Sequence, residues 1–141
     1  MARGTSGYSG TPLVKKLGLK TGMRAATIGA PENYSELIEN FAVREYPIPS
    51  RVAGEWAFLQ LFCRDERALQ RGLPRMEKHL SQGGMIWVSW PKKSSELWKD
   101  LTEDGVRTAA FPLGLVDVKV CAVDADWSGL KLMRRTKSKK P

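Results

Sequence analysis

Two nearly unbroken apolar runs, "EWAFLQLFC" (55–63) and "GGMIWVSW" (83–90), most constrain what this chain can fold into. Each has the length of a strand, and a strand that is apolar at successive positions must be covered on both faces. Between them Leu69, Leu73, Met76 and Leu80 recur at helical spacing, one apolar stripe behind the capping residue Asp65. Strand, helix, strand, with both strands buried, is the unit of a parallel sheet. Gly72 and Pro74 interrupt the stripe, which predicts a kink or two short helices.

The flanking segments extend the pattern. "TPLVKKLG" (11–18) reads as a short helix with Thr11 as cap, Pro12 at its first position and Gly18 at its end. "MRAATIG" is a first strand, "YSELIENF" a short helix, and "AVREYP" a second strand closed by Pro47 and Pro49. Thr102 caps a later helix with Glu103 and Asp104 in its first turn, and Gly114 ends it. "LVDVKVCAVD" alternates, which predicts Val116, Val118, Val120 and Ala122 on one face and Asp117, Lys119 and Cys121 on the other. "ADWSG" turns the chain back into "LKLMRR", a hairpin in which Asp124 and Asp126 serve the turn. The expected fold is α/β, a mostly parallel sheet covered on both faces and ending in one antiparallel strand.

A chain of 141 residues with 42% hydrophobic residues suits a single domain with one core. We place that domain at 11–133, after a flexible lead-in at 1–10 and before a basic tail at 134–141. No apolar run reaches the roughly 18–20 residues needed to span a bilayer, and no leader core is present. A soluble, cytoplasmic protein with no membrane partner is expected. Cys63 and Cys121 match no metal spacing and His79 is the single histidine, so no metal site is expected and both thiols read as buried. The net charge of +8 lies at the ends: residues 1–31 hold five cations and no acid, as do residues 134–141. Such a tail, with Arg134, Arg135, Lys137, Lys139 and Lys140, attracts nucleic acid without sequence selectivity, or simply solubilises a terminus.

The segments "GYSGTPLVKKLGLKTGMR", "APENY", "WVSWPKKSS", "DLTED" and "GLVDVKVCAVDADWSGLKL" resemble a family of small bacterial proteins of unknown function, over nearly the whole chain. "EWAFLQLF" and "LSQGGMIWVSW", with the closing helix and hairpin, are similar to the Rossmann-like class I methyltransferases. That likeness implies a three-layer fold with a six-stranded sheet in the order 2-1-3-4-6-5, one strand fewer on its first edge than those enzymes have. It also raises S-adenosylmethionine as a cofactor. The turn that would admit it, "TIGAPENY", has the one glycine Gly29 and the stiffening Pro31, and Glu45 is the one acid placed to meet a ribose. No nucleophile motif or phosphate loop is present either. The sequence therefore favours a domain that is not an enzyme and has no cofactor, with a degenerate S-adenosylmethionine-dependent enzyme as an alternative.

In open α/β sheets ligands bind beyond the carboxyl ends of the strands. Loops after three strands converge there and offer Glu32, Asn33, Tyr34, Arg64, Lys92, Lys93, Ser94 and Ser95. Lysines supply point charges, serines hydroxyls, and Tyr34 a ring that could stack on a planar ligand. "PKKSS" lacks glycines to wrap a phosphate, and the lysines precede Thr102 by enough residues to gain little from its helix. Trp98 either covers a ligand or, in a helical turn, closes the core. The expected role is binding of a small anionic ligand or a protein partner at this edge. The alternative is a nucleic-acid-associated protein using its basic termini.

Overall fold

The computed structural model describes residues 12–47 and 52–135. Its elements are α1 (Leu13–Leu17), β1 (Ala25–Ile28), α2 (Tyr34–Leu37), β2 (Arg44–Tyr46), β3 (Trp56–Phe62), α3 (Glu66–Glu77), β4 (Leu80–Pro91), α4 (Glu103–Ala110), a 3₁₀ turn (Phe111–Leu113), β5 (Leu115–Ala122) and β6 (Trp127–Arg134). They build one six-stranded sheet in the order β2-β1-β3-β4-β6-β5. β2, β1, β3 and β4 run parallel, and β6 enters antiparallel between β4 and β5. This is a Rossmann-like α/β fold.

The two apolar runs lie at the centre of the sheet. Leu59, Leu61, Ile86 and Val88 face α3 and α4, where Leu69, Leu73, Met76, Val106 and Ala110 complete one core. Phe58, Phe62 and Trp87 face the other way, onto Leu17, Tyr34, Ile38 and Trp127. The indole of Trp87 donates to the Leu17 carbonyl at 2.8 Å, so the end of α1 satisfies a buried donor. Gly18 follows with φ +84°, the left-handed cap expected of it, while Pro12 stands at the N-cap, one position earlier than the sequence suggests.

α3 is one continuous helix with Pro74 inside it, not two short helices. The Asp65 carboxylate accepts from the Ala68 amide at 2.9 Å and fixes its start. A side-chain carbon added at Gly72 would come within 3.0 Å of Leu61, so the glycine sets how closely the helix lies on β3. That close seat holds the helix through Pro74.

The expected alternation of β5 breaks at Val118. The pairing shifts between Asp117 and Lys119: Asp117 lies opposite Leu132, and Lys119 opposite its neighbour Lys131. One extra residue in a strand reverses the faces of all that follow. Val116 and Val120 therefore face opposite sides, and so do Asp117 and Lys119. Val118 and Val120 remain 48% and 46% exposed on this edge strand, rather than forming a core stripe.

Candidate functional site

β1, β3 and β4 run side by side in register, Ile28 beside Leu61 and Leu61 beside Val88, so their carboxyl ends share one rim. At the β4 end of that rim an open cleft of about 460 Å³ is lined by Trp90, Lys92, Lys93, Leu101, Thr102, Glu103, Asp104, Arg107 and Ser128. Its walls come from the exit of β4, the start of β6 and the first turns of α4.

The loop after β4 makes this possible. The Lys92 amide bonds to the Asp126 carbonyl at 2.8 Å, and the Ser95 hydroxyl donates to the Asp126 carboxylate at 2.8 Å. Asp126 and Trp127 are set in turn by the Asp124 carboxylate, which accepts both their amides at 2.8 and 2.9 Å. Leu101, 1% exposed, then plugs the loop's end into the core. The Thr102 hydroxyl accepts from the Gly105 amide at 3.0 Å and opens α4. The chain thus folds back on itself. Lys92 and Lys93 stand beside the first turn of α4, contrary to the separation suggested by their distance in sequence.

The charges of the cleft fall into two groups. Arg107 reaches Asp104 at 3.1 Å and Asp117 at 3.0 Å, and it also pairs with Glu103. The Asp117 hydrogen bond holds the guanidinium even further above its ordinary range, and Arg107 holds the Asp117 carboxyl below the usual carboxylate range. One guanidinium thus serves three carboxylates, and the group keeps an excess of negative charge. Lys92 and Lys93 make no ion pair among the described residues. The Lys93 ammonium stands 6.0 Å from the Trp98 ring centre. Trp98 lies in irregular chain, half-buried, its indole donating to the Leu101 carbonyl at 2.8 Å. It therefore supports its own loop.

The other expected rim residues do not line this cleft. Glu32 and Asn33 are exposed in the turn before α2, and Ser94 is exposed beside the lysines. Arg64 lies over the Trp127 ring at 5.3 Å. Tyr34 is no rim residue: its ring is fully buried against Phe62, with centroids 5.5 Å apart, and cannot stack on a ligand. Its hydroxyl donates to Gln60 Oε1 at 2.8 Å, and burial pushes the phenol up. Sequence reasoning did not bring in Glu103, Asp104, Arg107 or Ser128. The one signal available was Thr102, a cap followed by two acids, which fixes where α4 begins.

The basic end is also partly committed to the fold. Arg134 bonds to the Glu77 carboxylate at 3.0 Å and to the Leu80 carbonyl at 3.0 Å, closing the end of α3 against β4. Arg135 lies over the Phe111 ring at 5.0 Å. Lys137, Lys139 and Lys140 lie outside the described residues. His79, past the end of α3, stands with Nδ1 2.7 Å from the Gly54 carbonyl oxygen, a structural contact. Cys63 is buried, and burial raises its thiol.

The turn after β1 was weighed against S-adenosylmethionine. Gly29 has φ +73°, but its amide is already bonded to the Tyr46 carbonyl at 2.9 Å. Pro31 has no amide to offer. Glu45 is exposed and accepts a 3.3 Å bond from Ser35. One glycine with an engaged amide does not make the bare-backbone cradle that this cofactor needs.

No protein-family model matches the chain, and no curated protein matches it either. The resemblance to a small bacterial family gains no support from this. Solved structures do match. A ribosomal protein L11 methylase from Lactobacillus delbrueckii subsp. bulgaricus superposes with a TM-score of 0.58 at 12% identity, over 88% of this chain and 76% of that one. A methyltransferase from Pyrococcus furiosus does so at 0.56 and 14%, over 88% and 80%. Magnesium protoporphyrin IX methyltransferase from Synechocystis PCC 6803, with bound S-adenosylmethionine, matches at 0.55 and 10%, over 86% and 74%. At such identities the likeness is one of fold, and the fold is methyltransferase-like.

Proposed function

We propose that this chain is a methyltransferase-like domain that binds a small anionic ligand at the carboxyl edge of its sheet and transfers no methyl group. The observation that carries the reading is the asymmetry of the cleft. Its one arginine is committed to three carboxylates, Glu103, Asp104 and Asp117, while Lys92 and Lys93 line the same space with no ion pair among the described residues and remain its cations for an entering anion. A phosphate or carboxylate entering there meets two point charges, the Ser128 residue and the apolar wall of Trp90 and Leu101. The turn after β1 supports the non-catalytic half of the reading, because its amide is engaged and its proline is rigid.

The test is a thermal-shift screen of phosphorylated and carboxylated metabolites on the native protein and on a Lys92→Ala/Lys93→Ala variant. The native protein should be stabilised by at least one such compound, and the variant should keep its own melting point but lose the shift. An equal shift in both proteins rejects this site. Turnover of labelled S-adenosylmethionine by the native protein rejects the absence of transfer.

A further inference from the structure

The pairing of the strands places one row of residues across the sheet: Thr27, Gln60, Trp87, Lys131 and Lys119 lie side by side on β1, β3, β4, β6 and β5. All point to the face that carries α1. Trp87 is covered by the end of α1, and the row runs out from under the helix at Lys131 and Lys119. Like charges directly opposite on antiparallel strands oppose folding. Neither lysine makes an ion pair among the described residues. Asp117, two residues from Lys119, would share its face in a regular strand, but the extra residue at Val118 turns the carboxylate to α4 and the lysine away from it. α1, packed on the same side through Leu13, Val14 and Leu17, carries the exposed Lys15 and the half-buried Lys16. Burial raises the half-buried Cys121 thiol, and the charges of Lys16 and Lys119 oppose that rise. Lys20 stands just beyond α1, and no acid occurs anywhere in residues 1–31.

We propose that this lysine face, formed by Lys119 and Lys131 with Lys15, Lys16 and Lys20 along α1, is a docking surface for the phosphate backbone of double-stranded nucleic acid. Charge complementarity carries the assignment. The bulge segregates the charges of β5 and leaves Lys119 beside Lys131 on the side of the sheet that carries α1. Lysines in such a row act as point charges that follow a phosphate chain without reading bases. This surface shares no residue with the Lys92 and Lys93 cleft.

The test uses the full chain and a fluorescein-labelled DNA duplex of mixed sequence, with anisotropy read from low to moderate salt. The native protein should bind at low salt, and a Lys119→Gln/Lys131→Gln variant should bind at least tenfold more weakly. Its plot of log affinity against log salt should be shallower by about 1.8, or about 0.9 for each lost phosphate contact. A Lys119→Glu variant separates binding from folding. It converts a repelling cross-strand pair into an attracting one, so its melting point should hold or rise while its binding falls about as far as the double variant's, each having lost two units of positive charge. Several results overturn the proposal: no binding by the native protein at low salt, native affinity in the double variant, or loss of binding on removing residues 136–141 alone. Tighter binding of an all-glutamate peptide or of phosphatidylserine vesicles than of the duplex also overturns it, by assigning the face to another polyanion.

Discussion

The Tyr34 hydroxyl stands at one end of a buried chain of polar groups. It donates to Gln60 Oε1 at 2.8 Å, Gln60 Nε2 donates to Ser89 Oγ at 3.0 Å, and Thr27 Oγ1 donates to the Gln60 carbonyl at 2.9 Å. Thr27, Gln60 and Ser89 are all fully buried. Each group has a partner, so the chain satisfies its own desolvation, and it ties the start of α2 to the two central strands beneath the rim. Removing one member leaves its neighbour buried and unbonded, which costs about 1–3 kcal/mol. Tyr34→Phe should therefore lower the unfolding free energy by that amount, seen as a lower urea midpoint at an unchanged denaturant slope, since the native surface hardly alters. Ser35→Ala, next in sequence, removes only an exposed bond of 3.3 Å to Glu45 and should stay within about 0.5 kcal/mol of the native protein. Equal losses in the two variants would mean that the network contributes nothing beyond its packing. The sequence shows a tyrosine near a rim and cannot show which way it points; a serine, a glutamine and a threonine inside strands carry no mark of their partnership until the strands are paired.

Among the elements, α4 and β5 are joined by the carboxylates around Arg107. Asp117 is the member on the strand, and its hydrogen bond from Arg107 lowers its carboxyl from the ordinary value of 3.8. A group whose pKa is lower in the folded state contributes stability above its unfolded pKa and loses it as pH falls through the folded one. The window is thus below about pH 4. Asp117→Asn should be less stable than the native protein at neutral pH, and the gap should narrow as both are titrated down through that window by circular dichroism. A gap that stays constant would show that Asp117 acts through packing and not through its charge. The same strand marks where sequence reading stops. Alternation in "LVDVKVCA" is real, but an extra residue is visible only against a partner strand, so the bulge at Val118 and the faces of all later residues were not legible. α3 fails in the opposite direction: Gly72 and Pro74 signal a break, and packing on Leu61 overrides it.

Over the whole molecule, the two central strands were legible because burial on both faces leaves an unbroken apolar run, whereas the order of all six came from the resemblance to methyltransferases. The shared rim follows from that order alone. The cleft does not, because it depends on the segment between Lys92 and Thr102 folding back, held by a bond from Ser95 to a residue 31 positions away. The same architecture sets how stability is distributed. β3 is hydrogen-bonded to β1 and β4, and nearly all of its residues are buried. β4 has a strand on each side as well, and both core clusters meet on this pair. β2 is three residues long, largely exposed, and bonded on one side to β1. Opening β2 breaks few contacts, whereas opening β3 requires separating both layers of helices from the sheet. Amide hydrogen exchange should therefore be slowest at Leu59, Leu61, Ile86 and Val88, with free energies that match global unfolding in urea. The amides of Arg44, Glu45 and Tyr46 should exchange through local opening, with little dependence on denaturant. Protection of β2 equal to that of β3 would mean that the sheet opens as one unit from its edge. The rim would then owe its shape to the entire fold and not to β3 and β4 alone.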